Sequence, residues 1–239
     1  MSETTVYREI PRPDPALIEA LRGIPVADLH DELNAVDRKV RLMSSRLRPV
    51  IDGERIVGPA VTAFNSPGDN LMMHTALFHA RSGDVLVISN GGVPSGALWG
   101  DNASTQAKRI GLAGVIADGP VRDISGLRRV GVPVWSTIVS PSRPTKALPG
   151  SVNMPVVCAG VTVYPGDIVV ADSDGAIVVP WEEALRVAEA ARARIARDTR
   201  MQEAIRGGST LFQEIGCETA LQKLGAEIHE GPWSPKSAG

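Results

Sequence analysis

The apolar residues in the middle of the chain are grouped in short runs that are separated by polar, glycine-containing segments. The runs VLVIS after Asp84 and GVIADG after Ala113 are typical of strands buried on both faces of a sheet. A helix is predicted between them, from about Asn102 to Arg109. A short helix through Arg129 and the strand PVWST continue the alternation, which predicts parallel strands in a layered α/β core.

The segments before this unit predict three helices and one strand. Residues 14–35 are expected to form two short helices, the first of them capped by an aspartate. Residues 55–64, RIVGPAVTAF, predict a strand in which Pro59 indicates a sheet edge or a bulge. Residues 70–82 predict a helix that stops at Gly83.

The last third of the chain has a different pattern. Residues 151–179 contain short apolar segments separated by the turn signals PGD and DSDG, so antiparallel strands are expected and the sheet is mixed. A helix of about 25 residues, ~38 Å long, should begin at Pro180. That length exceeds what a small domain needs, so the far end is expected to touch a partner subunit. We predict a single α/β domain over 1–206 and a C-terminal extension over 207–239.

Composition excludes several classes of protein. With 239 residues, of which 43% are hydrophobic and 22% charged, the chain suits a globular domain rather than a disordered one. The formal net charge of -2 argues against a strongly basic nucleic-acid binder. The N-terminus has no apolar signal core and no window resembles a membrane helix, so a soluble cytoplasmic protein is expected. Cys158 and Cys217 lie far apart and form neither a zinc knuckle nor a redox pair.

Two polar clusters follow adjacent predicted strands. The glycine-rich loop 90–101, NGGVPSGALWGD, leads into a helix start expected at Asn102. Glycines let backbone N–H groups approach a ligand closely, and a helix start adds partial positive charge, so this loop suits a carboxylate or a phosphate. The second cluster is Arg122-Asp123, after the strand GVIADG. Arginine suits two-pronged recognition of a carboxylate, and aspartate is a hard oxygen ligand for Mg²⁺ or Mn²⁺.

In open α/β sheets, ligands bind beyond the carboxyl ends of the strands, which is where both clusters are predicted to lie. The alternative from the residues alone is an exposed Arg–Asp turn beside a structural glycine loop. A third interpretation, a phosphate-binding enzyme, lacks the lysine that a Walker loop would place here.

The spacing of these residues resembles a known motif. Gly100-Asp101 is followed by twenty residues and then Arg122-Asp123, as in the class II pyruvate aldolases that cleave 4-hydroxy-4-methyl-2-oxoglutarate and 4-carboxy-4-hydroxy-2-oxoadipate. The same superfamily includes the regulator of ribonuclease activity A. Further stretches similar to the oxoadipate aldolases are PGDNLMMH, GVPVWS and the segment 150–180. The resemblance covers about residues 20–206.

The resemblance implies a mixed, layered β/β/α domain of the swivelling type with a long C-terminal helix. It also implies metal-dependent retro-aldol cleavage to pyruvate, with oxaloacetate decarboxylation as a side reaction. By resemblance, Asp123 holds Mg²⁺ or Mn²⁺ and Arg122 binds the 2-oxo acid and stabilises enolate charge. Backbone groups at Gly100, Asn102 and Ala103 bind the pyruvyl carboxylate, and Asp101 orders a metal-bound water used in proton transfer.

The resemblance further implies a homotrimer or homohexamer with active sites at subunit interfaces. An acidic residue of a neighbour's C-terminal helix reaches the site in this family, and Asp198 is the best positional match, with Glu203 as a rival. Asp69, Asn70 and His74 are candidates for the substrate's distal group, with packing or helix capping as the alternative. The alternative function is a non-enzymatic regulator that binds a ribonuclease or another protein. The regulator type lacks the metal ligand, which this chain retains as Asp123.

Overall fold

The apolar runs predicted as buried strands form the middle of a mixed sheet in the computed structural model, which describes residues 4–35, 41–51 and 54–232. Contacts between residues divide the chain into two compact units, Met1–Arg192 and Ala193–Gly239. The sheet and its covering layers belong to the first unit.

The strands are short except where they cross the centre of the sheet. They are β1 (Thr5–Val6), β2 (Arg48–Pro49), β3 (Ile56–Asn65), β4 (Val85–Ser89), β5 (Gly114–Val121), β6 (Val134–Val139), β7 (Gly150–Val152), β8 (Val156–Cys158), β9 (Val161–Val163), β10 (Ile168–Ala171) and β11 (Ala176–Val179). The helices are α1 (Pro15–Leu21), α2 (Val26–Asn34), α3 (Leu71–His79), α4 (Asp101–Ile110), α5 (Ile124–Val130), α6 (Trp181–Arg206), α7 (Leu211–Glu214) and α8 (Cys217–Lys223).

Four parallel strands form the core of the sheet. β3 pairs with β4, β4 with β5, and β5 with β6, each in parallel register. The order of strands along the sheet is β1-β7-β3-β4-β5-β6-β2. In addition, β10 pairs with the first part of β3, before the residues that pair with β4. The predicted parallel unit is therefore confirmed, and so is the antiparallel character of the later strands, because β8–β9 and β10–β11 pair antiparallel.

Alternate residues of the central strands face two different layers. Leu86 and Ile88 of β4 belong to a buried cluster with side chains of α3, α4 and α5. Val85 and Val87 belong to a second cluster with side chains of β8 to β11. Successive side chains on a strand point to opposite faces, so the sheet lies between a helical layer and a second β layer. The predicted β/β/α layering is confirmed.

Pro59, predicted to mark a sheet edge or a bulge, lies in an interior strand at a residue where only one side of that strand is paired. It lies inside β3, opposite Ile168 of β10, and the pairing with β4 begins only at the next residue, Ala60. Ala60 N–H donates to Asp167 O at 2.8 Å, which maintains the contact with β10. Proline is tolerated here because its missing N–H falls just before the ladder with β4 starts.

Two predicted helix boundaries also differ. The helix predicted over 70–82 ends three residues early, at His79. α4 begins at Asp101 rather than at Asn102, so Asp101 lies in the first turn of the helix. Gly111 ends α4, since its φ of +83° is a left-handed conformation that glycine adopts without strain.

The long helix predicted after Pro180 is present as α6, with 26 residues. Its buried residues, Ala184, Val187, Ala188 and Ala191, all lie within the first unit. The second unit contains the end of α6 together with α7 and α8. The predicted boundary between residues 206 and 207 stays a prediction, and 233–239 of that extension lie outside the described residues. Among the described helices, none has the length and apolar character to cross a membrane.

Candidate active site

A cavity of about 370 Å³ lies beyond the carboxyl ends of the four parallel strands. Each strand contributes the segment that follows it, because the carboxyl ends of parallel strands meet at one edge of the sheet. Residues from all four segments line the cavity: Asn70, Met73, His74, Ala97, Trp99, Gly100, Asp101, Asn102, Ala103, Arg122, Asp123, Arg143, Pro144 and Lys146. The structure thus brings together all the site residues predicted from the two polar clusters.

Arg122 and Asp123 follow β5 directly and form an ion pair. Nε of Arg122 lies 3.3 Å from Oδ2 of Asp123. Adjacent residues of a regular strand would face opposite sides, but the backbone of Asp123 is left-handed, with a φ of +61°. Aspartate is among the residues that tolerate this conformation. The turn therefore lets two neighbouring charged side chains line the same cavity.

Two glycines make room for these charged groups. A Cβ on Gly100 would lie 2.8 Å from Oδ2 of Asp123, so a larger residue would displace that carboxylate. A Cβ on Gly126 would lie 2.6 Å from Cβ of Asp101. The space left by Gly126 therefore allows α5 to pack directly against Asp101. The predicted substrate-binding role of Gly100 stays a prediction beside this spatial role.

The start of α4 offers backbone donors to the cavity. The amide of Ser104 is the first to make a helical bond, to Gly100 O at 3.0 Å, and no side chain among the described residues caps the start. The N–H groups of Asn102 and Ala103 therefore precede the helical ladder. Trp99 Nε1 donates to the buried Ser104 hydroxyl at 2.7 Å, which fixes this turn. Such a helix start suits an anionic ligand.

Arg143 and Lys146 also line the cavity, and the sequence interpretation missed them. They lie in the segment after β6. With Arg122 they give the cavity three cationic side chains against the two carboxylates of Asp101 and Asp123. The cavity therefore suits a ligand with more than one negative charge.

His74 and Asn70 come from α3 and its preceding residue. Burial lowers the pKa of His74 below its ordinary value, and the nearby Lys146 lowers it further, while Asp69 acts in the opposite direction. The imidazole is thus neutral at physiological pH. Asn70 Nδ2 donates to Ala97 O at 3.3 Å. Its buried Oδ1 has no hydrogen-bond partner in the described part of the chain, so it can accept a bond from a ligand.

The donor set fits a hard divalent cation that keeps most of its water. No group of three histidine, cysteine, aspartate or glutamate residues that could enclose a metal occurs in residues 4–35, 41–51 and 54–232. The cavity does hold the carboxylates of Asp123 and Asp101. Mg²⁺ is commonly held by one or two carboxylates with water and substrate oxygens completing its shell. Asp123 is therefore a suitable metal ligand.

Asp198 and Glu203 belong to the second unit, on α6. Oδ2 of Asp198 lies 3.9 Å from Nε of Arg194, one helical turn away, and both side chains are partly exposed. Glu203 is exposed. A contact between a second chain and either carboxylate stays a prediction.

Solved structures similar to this chain include an uncharacterized protein and a member of the RraA family. An uncharacterized protein from Pseudomonas syringae aligns with a TM-score of 0.77 and 29% identity, covering 87% of this chain and 97% of its own. RraAS2 of Streptomyces coelicolor, described as an unusual member of the RNase ES inhibitor RraA protein family, aligns with a TM-score of 0.72 and 30% identity. That match covers 84% of this chain and all of RraAS2.

Sequence relatives and the family assignment agree with the fold. A protein of Halalkalibacterium halodurans named "Putative 4-hydroxy-4-methyl-2-oxoglutarate aldolase" is 33% identical over 190 residues, which cover 79% of this chain and 88% of the relative. A protein of the same name from Burkholderia multivorans is 33% identical over 153 residues, covering 64% of this chain and 92% of the relative. The family described as Aldolase/RraA matches residues 26–178. The chain therefore belongs to the RraA-like family.

Proposed function

We propose that this protein is a divalent-metal-dependent lyase that cleaves a 4-hydroxy-2-oxo di- or tricarboxylic acid to pyruvate and a second oxo acid. Candidate substrates are 4-carboxy-4-hydroxy-2-oxoadipate and 4-hydroxy-4-methyl-2-oxoglutarate. The observation that carries the proposal is the convergence of Arg122, Asp123, Asp101 and the uncapped start of α4 in one cavity. The aldolase names of the relatives support the same reaction class.

The anion-binding groups that line the cavity suit the two charged ends of such a substrate. The backbone amides of Asn102 and Ala103 would bind the carboxylate next to the 2-oxo group, as an uncapped helix start favours an anion. Arg122 would lie against the 2-oxo oxygen, where negative charge develops. Arg143 and Lys146 supply the positive charge that a distal carboxylate requires.

In the bond-breaking step, the proton of the 4-hydroxyl is removed and the bond between C3 and C4 breaks. Its electron pair passes to the pyruvyl fragment as an enolate, while C4 becomes the carbonyl of the second product. Asp101 is proposed to order the water that relays the proton, which later returns to C3 to give pyruvate. A Mg²⁺ or Mn²⁺ ion held by Asp123 would supply Lewis-acid stabilisation of the enolate oxygen. Loss of CO₂ from oxaloacetate forms the same enolate, so this side activity is also proposed.

A panel of 4-hydroxy-2-oxo diacids and triacids tests the reaction. The protein is incubated with each acid and Mg²⁺, and pyruvate is measured with lactate dehydrogenase. We expect pyruvate release from at least one acid, with kcat/KM in the range of ordinary enzymes, above about 10⁴ M⁻¹ s⁻¹ for the best substrate. An Asp123→Ala variant is the matched negative control. If no acid releases pyruvate above that control, the proposed function is wrong.

A second candidate is protein regulation without catalysis. It is favoured by two solved structures similar to this chain. RraAS2 is described as an unusual member of the RNase ES inhibitor RraA protein family, and RraA of Thermus thermophilis, at TM-score 0.57 and 29% identity, is described as an RNA-processing inhibitor. We prefer the enzyme because the chain retains the Asp123 carboxylate beside Arg122. If the protein releases no pyruvate from any acid of the panel and inhibits a ribonuclease, the regulator is favoured.

We also propose a homotrimer or homohexamer in which Asp198 reaches the site of a neighbouring chain. Asp123→Ala and Asp198→Ala chains should each be inactive alone. Mixed assemblies can contain an intact composite site, so mixing under exchange conditions should restore pyruvate release. Glu203→Ala is the matched variant for the rival residue on the same helix. A monomeric mass by light scattering, or no recovery despite confirmed exchange, would reject the shared site.

A further inference from the structure

Asp69 is a buried carboxylate that precedes the cavity-lining Asn70 but does not itself line the cavity. Its Oδ2 accepts three hydrogen bonds from one short segment: from the Thr145 hydroxyl at 2.7 Å, from Ala147 N at 2.6 Å and from Leu148 N at 3.2 Å. Its Oδ1 accepts a fourth from Leu71 N, at the start of α3, at 2.8 Å. One side chain therefore joins two walls of the cavity.

The backbone repeats this connection. Thr145 N donates to Gly68 O at 2.8 Å, and Asn70 N donates to Thr145 O at 3.2 Å. The donors that reach Oδ2 come from positions on both sides of Lys146, which itself lines the cavity. The position of Lys146 relative to the cavity is thus set by bonds to Asp69 rather than by a regular helix or strand.

We propose that Asp69 is a positioning residue that acts through Lys146, holding this cation where it binds the distal carboxylate of the substrate. The inference rests on the proposed function, since it concerns how the same cavity distinguishes substrates with a second carboxylate. The described bonds of the Asp69 side chain go to the 145–148 segment and to the start of α3, and none goes to the start of α4, where the pyruvyl carboxylate is proposed to bind. Its loss should therefore weaken recognition of the distal group and spare that of the pyruvyl group.

The charge on Asp69 is maintained by these donors. Burial raises its pKa, but the bonds from the Leu71 and Ala147 amides, the Thr145 hydroxyl and the Leu148 amide together bring it below the ordinary value. The carboxylate is therefore ionised at neutral pH. In Asp69→Asn, an amide NH₂ facing the same donors could satisfy fewer of them, and the segment would lose its anchor.

Binding of two probes separates distal from pyruvyl recognition. Pyruvate and 2-oxoglutarate are titrated into the full-length protein by calorimetry in the presence of Mg²⁺, at a temperature where all variants remain folded by circular dichroism. Asp69→Asn should weaken 2-oxoglutarate binding about 10-fold and pyruvate binding less than about twofold. Thr145→Val, which removes one of the donors, should give a smaller loss of the same kind, and Thr145→Ser should match wild type.

A double variant tests whether Asp69 acts through Lys146. In a Lys146→Ala background, Asp69→Asn should add little further loss of 2-oxoglutarate affinity, because coupled residues are not additive. Asp167→Asn is the matched control, since it alters a half-buried aspartate that accepts a backbone bond from Tyr164 N elsewhere in the fold. Its affinities should equal those of wild type.

Each alternative result has one meaning. Equal losses for both probes, no loss for either, or full additivity with Lys146→Ala would overturn the positioning role while leaving the proposed function in place. If the wild-type protein binds both probes equally well, the cavity has no subsite for a distal carboxylate. That result would overturn this inference and leave the proposed function in place. Wild-type protein that binds neither probe and releases no pyruvate would overturn the proposed function and this inference together.

Discussion

Removal of divalent metal with EDTA is expected to abolish pyruvate release, and added Mg²⁺ or Mn²⁺ should restore it. Among the described side chains that line the cavity, the arginines and lysines are Arg122, Arg143 and Lys146, and one of them, Arg122, already pairs with Asp123 at 3.3 Å. Lewis-acid stabilisation of a developing oxyanion is worth several kcal/mol, on the order of 10²-fold or more in rate. Arginine and backbone donors alone should not replace that contribution.

The metal prediction has a readout that does not depend on turnover. Mn²⁺ binding by the metal-stripped protein is followed by electron paramagnetic resonance, with Asp123→Asn as the variant of matched size. We expect the wild-type protein to bind Mn²⁺ and the variant to bind it much more weakly. Asp174→Asn, at an exposed turn after β10, is the control and should bind like wild type. Full pyruvate release by a metal-stripped sample would contradict the metal-dependent mechanism.

The elements of the fold that could be predicted are those with continuous apolar runs. β4 and β5 are buried at every position, and runs of that kind admit few other structures in a chain of this length. The partner of a strand is harder to predict because it depends on residues far away in the chain. Pro59 indicated an edge strand or a bulge, yet β3 lies inside the sheet, where β10 pairs with its first part and β4 pairs with its later part.

The candidate site could be predicted where a chemically distinctive residue follows a buried strand. Arg122 and Asp123 after β5 met that condition, as did Asp101 after β4. The segment after β6 did not, because Arg143 and Lys146 stand among prolines and serines and read as an ordinary loop. The rule that ligands bind beyond the carboxyl ends of parallel strands applied equally to β6 and could have identified both residues.

Steric relations within the site could not be predicted from a single sequence. The contact of Gly126 with Asp101 joins residues of two different helices, and the Cβ clash that would arise appears only in three dimensions. Three of the four bonds to Asp69 depend in the same way on a segment that lies more than seventy positions further along the chain. Such residues act by shaping or holding others, so their types carry little signal of their role.

Arg122→Lys is expected to lower kcat/KM for pyruvate release by more than about 10-fold, which corresponds to at least about 1.4 kcal/mol of transition-state stabilisation. Nε of Arg122 already faces Oδ2 of Asp123 at 3.3 Å, while the other guanidinium nitrogens can still donate to the 2-oxo acid. A lysine ammonium is a single point charge, so it cannot hold the carboxylate of Asp123 and the substrate in one plane. Because the lost contact is strongest when enolate charge develops, kcat should fall more than KM rises.

Arg128→Lys, on the exposed side of α5, is the matched control and should retain wild-type kinetics. Unchanged kinetics in Arg122→Lys would show that the Arg122 guanidinium does not stabilise the transition state.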